Sequence, residues 1–129
     1  MEQAEQKLCI LAIDDTPMYL AELGRILAAR YSMKMAKKGS EGIRLAAEYQ
    51  VDLILLDLLM PEMSGFDVLE QLKSSEKTKH IPVIIVTGST SEEDKVKGLA
   101  LGAIDFVRKP FADENVMLVV ESILRYHSD

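Results

Sequence analysis

Val51-Asp52-Leu53-Ile54-Leu55-Leu56 runs directly into Asp57. The run is almost wholly apolar and does not alternate, so it reads as a strand covered on both faces. Similar β-rich apolar runs stand at Leu8–Ile13, Pro82–Val86 and Ile104–Val107, with a weaker one at Met33–Ala36. The stretches between them have helical spacing. The clearest is the last, where Val116, Val119, Val120, Ile123 and Leu124 recur at i, i+3, i+4, i+7 and i+8, the signature of a one-sided helix. The pattern predicts five strands and five helices in strict β-α alternation. Such a chain forms a parallel sheet flanked by helices, and right-handed crossovers make it a doubly wound α/β sandwich. Strand order does not follow from this pattern alone.

Start and stop signals fall at the junctions. Thr16-Pro17 predicts an N-cap followed by proline at the first helical position. Ser64-x-x-Asp67 and Ser91-x-x-Asp94 resemble capping boxes with Asp in place of Glu. Ser40, after Lys37-Lys38-Gly39, is expected to cap the second helix. Gly102 stands where a helix needs a left-handed residue to stop.

The length of 129 residues fits one domain, 1–129, with a core from about 7 to 126. Its single cysteine, Cys9, excludes an intramolecular disulfide framework and a four-cysteine zinc site. Cys9 lies inside the first strand and is expected to be an inert buried thiol. Fifteen Lys+Arg against twenty-one Asp+Glu leave a net charge of -6, a field that repels nucleic-acid phosphate and anionic membranes. No apolar run approaches the ~18 residues that span a bilayer. The N-terminal Met-Glu-Gln-Ala-Glu-Gln-Lys is polar and unlike a secretory signal. A cytoplasmic protein that binds neither nucleic acid nor membrane directly is therefore expected. His80 and His127 have no metal partner in spacing, and Gly98-x-x-x-Gly102 sits in a polar, lysine-flanked helix rather than a membrane segment. Neither G-x-G-x-x-G nor G-x-x-x-x-G-K-[ST] occurs, which removes the main support for nucleotide binding.

Ligands of a doubly wound sheet bind at the carboxyl ends of its strands. The first strand ends in Asp14-Asp15, the third in Asp57, the fourth in Thr87-Gly88 and the fifth in Lys109-Pro110. Three carboxylates, a hydroxyl and an ammonium would converge on one edge of the sheet. The carboxylates would repel one another, and without a counter-charge at least one pKa would rise. A hard divalent cation removes that cost, and Mg2+ suits a few carboxylates with retained waters. The metal, Lys109 and Thr87 would then form an anion subsite. Asp57, at the end of the expected central strand, is the best candidate nucleophile for phosphoryl transfer.

These residues together resemble the response-regulator receiver domain of two-component signalling. The likeness runs from Lys7 to Tyr126. It is carried by Ile13-Asp14-Asp15, by Leu55-Leu56-Asp57-Leu58-Leu59-Met60-Pro61 with Met63-Ser64-Gly65, and by Ile81-Pro82-Val83-Ile84-Ile85-Val86-Thr87-Gly88. Gly102-Ala103 and Asp105-Phe106-Val107-Arg108-Lys109-Pro110-Phe111 complete it. The resemblance implies a flavodoxin-like receiver fold with strand order 2-1-3-4-5. It implies Asp57 as phosphoacceptor, Asp15 as a direct Mg2+ ligand, Asp14 acting mainly through water, and the Leu59 carbonyl as a further ligand. It also implies Lys109 on a phosphoryl oxygen, a cis bond to Pro110, Thr87 closing onto the phosphoryl group, and Phe106 as the switch aromatic.

Many family members carry Tyr where this chain has Phe106, so the ring here has no hydroxyl to anchor it. Gly88 leaves room for the ring to swing inward; its small side chain also leaves the site open to water. Met117 and Leu118 fall off the buried stripe of the last helix. They read either as scattered surface hydrophobes or as an apolar patch with the preceding helix and strand, a partner or homodimer surface responsive to phosphorylation. The implied function is a switch rather than an enzyme. A sensor histidine kinase or histidine phosphotransfer protein would phosphorylate it, and the face of the fourth helix, fifth strand and fifth helix would regulate an output or effector domain. Two alternatives are weaker. An aspartyl-nucleophile phosphatase wants an acidic residue where Leu59 stands, and a flavin carrier would find its phosphate repelled by Asp14-Asp15.

Overall fold

A computed structural model describes residues 7–127, with side chains through Arg125. Residues 1–6 of the polar N-terminal stretch and the His127 side chain lie outside the described residues. The elements in chain order are β1 (Cys9–Ile13), α1 (Pro17–Leu27), β2 (Ser32–Ala36), α2 (Gly39–Glu48), β3 (Leu53–Leu56), α3 (Gly65–Ser74), β4 (Val83–Thr87), α4 (Glu92–Ala100), β5 (Asp105–Arg108) and α5 (Asp113–His127). All neighbouring strands are parallel, in the order β2-β1-β3-β4-β5. The five predicted strands and helices are therefore present, and β3 is central.

The strand pattern becomes two cores. Leu11, Ile13, Ile54, Leu56, Val83 and Ile85 face one side, against Ala46 of α2 and Val68, Leu69 and Leu72 of α3. Ile10, Ala12, Leu53, Leu55, Ile84 and Val86 face the other, against α1 and α5. Successive residues point to opposite faces, so a strand buried on both must be apolar throughout. Val116, Val120 and Leu124 of α5 are buried in the second core, each worth about 1.5–3 kcal/mol relative to exposure. Gly98 allows α4 to approach the sheet, since a Cβ there would lie 2.3 Å from Ile85 Cδ1.

Boundaries moved for specific reasons. β3 begins at Leu53 because the Asp52 carboxylate and amide turn aside to bond the main chain of Cys9. β4 runs on to Thr87, whose carbonyl accepts the Lys109 amide. Ser64 and Ser91 cap α3 and α4 as expected, accepting the amides of Asp67 and Asp94. Thr16 occupies the N-cap of α1 without a side-chain bond. Ser40 does not cap α2: the helix starts at Gly39 with Lys38 as N-cap. Gly102 has φ +118° and ends α4 as predicted.

Candidate functional site

Parallel register brings the site together. Ile13 pairs with Ala36 on one side and Leu56 on the other, and Leu56 pairs with Ile85. Asp14 and Asp57 therefore follow β1 and β3 at the same edge of the sheet, while β4 runs on to Thr87. Asp57 N still donates to the Ile13 carbonyl at 3.0 Å, and Asp14 N to the Ala36 carbonyl at 3.0 Å. Main-chain hydrogen bonds thus fix the carboxylates' backbones before any side chain interacts.

One carboxylate oxygen from each of Asp14, Asp15 and Asp57 lies within 4.8 Å of the others. Asp14 and Asp57 are buried and Asp15 is half-buried. Three hard oxygen donors at this separation fit a small divalent cation. Burial, and then the Asp14 charge, push the Asp57 carboxyl above the ordinary aspartate range; the Lys109 ammonium, the Thr87 hydroxyl and the Leu59 amide oppose them. The expected rise of one carboxyl therefore falls on Asp57.

Lys109 enters across the cis bond to Pro110. Its Nζ donates to Asp14 Oδ2 at 2.7 Å and stands 3.6 Å from Asp57 Oδ2, with the side chain 7% exposed. The resting ammonium thus pairs mainly with Asp14. Thr87 is fully buried; its hydroxyl accepts the Ser89 amide at 3.4 Å and helps to hold the Asp57 carboxyl down. The Leu59 amide donates to Asp57 Oδ1 at 3.3 Å while its side chain points outward, 58% exposed. A Cβ on Gly88 would meet nothing within 4 Å. Phe106 is half-buried against the core on the α3 side, with the Arg108 guanidinium 5.5 Å from its ring centroid.

Two contributors carry no sequence signal of their own. Lys109 Nζ lies 3.8 Å from the centroid of the Tyr19 ring, a contact between residues far apart in the chain. Gly65 has no room for a side chain, since a Cβ would lie 2.2 Å from the Asp57 carbonyl oxygen. Its place in the recurring Met63-Ser64-Gly65 string was visible, but the cause was not.

Met117 and Leu118 line one groove with Arg25 and Ile26 of α1. Met117 also packs partly against the second core, while Leu118 is exposed. The α5 residues off the buried stripe turn toward α1, where Arg25 pairs with Asp113 at 3.0 Å and Arg30 with Glu121. Cys9 is free and buried, and burial chiefly pushes its thiol up. His80 is exposed. Among the described residues no helix is long and apolar enough to cross a membrane.

The response regulator receiver domain family matches residues 10–121. A Vibrio cholerae protein described as a "Probable cyclic di-GMP phosphodiesterase" is 46% identical over 101 residues, covering 78% of this chain and 23% of its own length. PilH of Pseudomonas aeruginosa is 35% identical over 116 residues, covering 89% of this chain and 96% of its own. The chain spans about half of the transcriptional regulators it matches. The crystal structure of Vibrio cholerae chemotaxis protein CheY4 superposes with a TM-score of 0.86 at 29% identity, covering 92% of this chain and 99% of that one.

Proposed function

The chain belongs to the response regulator receiver domain family of two-component signalling, and on that premise we propose that it is a phosphorylation-controlled switch with Asp57 as its phosphoacceptor. The observation that carries the reading is Asp57 itself. It is a buried carboxylate at the end of the central strand, with Asp14 and Asp15 beside it and Lys109 and Thr87 within reach. The donor is a sensor histidine kinase or a histidine phosphotransfer protein. The setting is the cytoplasm.

Asp14, Asp15, Asp57 and the Leu59 carbonyl would hold Mg2+, which supplies positive charge against the repulsion between carboxylates and phosphoryl oxygens. An oxygen of Asp57 attacks phosphorus in line, and the P–N bond of the donor phosphohistidine breaks with its electron pair returning to the imidazole. Lys109 shifts from Asp14 toward the phosphoryl oxygens and neutralises them. Thr87, buried at the end of β4, follows the new charge and vacates space for Phe106. The face built on α4, β5 and α5 is then biased toward its second conformation and passes the state to an output. The domain assists only its own phosphorylation and hydrolysis.

Incubation with acetyl phosphate and Mg2+ tests the assignment. The wild-type chain gains one phosphoryl mass and Asp57→Asn gains none. Wild-type labelling of Asp57→Asn removes the reading.

A further inference from the structure

Tyr19 has no part in the chemistry above, yet its ring completes the surroundings of the Lys109 ammonium. Nζ lies 3.8 Å from the ring centroid, 2.7 Å from Asp14 Oδ2 and 3.6 Å from Asp57 Oδ2. With the lysine side chain 7% exposed, water does little to hold the charge. A π face beneath a desolvated ammonium supplies negative density in its place.

The acidic pocket itself sets the ring's position. Asp14 Oδ1 accepts the Thr16 amide at 2.9 Å, and the Thr16 carbonyl accepts the Tyr19 amide at 3.0 Å. Pro17, at the start of α1, sets the turn between them. One short segment therefore carries both the carboxylate that pairs with Lys109 and the ring on which it rests. The ring also meets Phe111, with centroids 6.3 Å apart and planes at 52°. Phe111 follows Lys109 across the cis bond to Pro110, so the same ring also contacts the loop that delivers the lysine.

We propose that Tyr19 is a positioning residue for phosphoryl transfer: its ring face holds the Lys109 ammonium between Asp14 and Asp57 and supports its shift toward the phosphoryl group. A carboxylate bond is directional, whereas a ring face is broad, so the ammonium can move across it without losing contact. Without the ring, the lysine stays with Asp14 or turns to solvent. This rests on the reading of Asp57 as phosphoacceptor and Lys109 as its counter-charge.

The test keeps the ring's shape and drains its quadrupole. In the full chain, Tyr19 is replaced by phenylalanine, by mono-, di- and trifluorophenylalanine, and by leucine. Labelling by acetyl phosphate with Mg2+ is followed at saturating donor. Tyr19→Phe is expected within about twofold of wild type, with a stepwise fall along the fluorine series and about tenfold loss in Tyr19→Leu. KM for acetyl phosphate changes little, because the ring does not touch the donor. In the unphosphorylated protein, the Lys109 side-chain NMR resonances are shielded by the ring in wild type and Tyr19→Phe, and move to ordinary lysine positions in Tyr19→Leu. A flat fluorine series in a labelled wild type, or Lys109 resonances unmoved by Tyr19→Leu, overturns this role alone. A wild-type chain that takes no label removes the phosphoacceptor reading and this role with it.

Discussion

The Lys109 ammonium donates to Asp14 at 2.7 Å, so the lysine from the end of β5 is locked to the end of β1, with β4 and β3 between them. Asp57, on β3 between them, has the longer contact of 3.6 Å. In the resting protein the lysine balances the acidic pocket; on phosphorylation it would have to exchange one anionic partner for another. Lys109→Ala leaves a buried carboxylate without its cation. Unfolding free energy should fall by about 2 kcal/mol in the absence of Mg2+, and Mg2+ should restore part of it. Urea titrations with and without the metal check this. An unchanged midpoint in both would show that the ion pair contributes nothing net.

Asp57 holds its proton to higher pH in the folded chain than in the unfolded one. Its ionisation therefore costs stability. That cost is absent below the unfolded value, about 4, and accumulates as pH rises through the raised folded value. At neutral pH without Mg2+, Asp57→Asn should melt above wild type, and the gap should close as pH falls below the ordinary aspartate range. Mg2+ should raise the melting temperature of wild type only. Calorimetry across pH would count against this if the Asn variant melted lower at neutral pH.

Gly65 and Gly98 look alike in sequence but differ in what a methyl group would strike. At Gly65 it would meet backbone, the Asp57 carbonyl at 2.2 Å and Leu58 Cα at 2.5 Å. At Gly98 it would meet the tip of a side chain, Ile85 Cδ1 at 2.3 Å. Gly65→Ala should cost about 3 kcal/mol and slow labelling at Asp57. Gly98→Ala should cost about 1 kcal/mol, because Ile85 can rotate and alanine favours helix. Equal losses in denaturant titrations would refute the ordering.

Thr87 is buried and helps to hold the Asp57 carboxyl down, but supplies no attacking atom. Thr87→Ala should still label, within about tenfold of wild type. Its amide spectrum should then change on labelling only at the strand ends, and not along α4 and β5. If shifts still reached α4, Thr87 would not be the coupling group.

The periodic pattern was enough for the alternating elements, because a strand buried on both faces stays apolar up to its end and an amphipathic helix must repeat every few residues. Polar residues at the strand ends were legible for the same reason: they stand out against apolar runs. Phe106 and Gly88 were found through their place in the recurring motif. Caps were less legible. Ser40 failed because the helix could begin a residue earlier at Gly39, and Asp94 accepts from the Ser89 hydroxyl instead of closing a box.

By itself, the sequence determined a parallel, doubly wound sheet and an acidic edge bearing Asp14, Asp15 and Asp57, since both follow from periodicity and from where charge is tolerated. The tertiary structure alone decided that Lys109 pairs with Asp14 more closely than with Asp57, that Tyr19 lies beneath it, and that Leu118 faces α1. Those are contacts between residues distant in the chain. They depend on register, helix rotation and side-chain packing, none of which leaves a periodic trace in the order of amino acids.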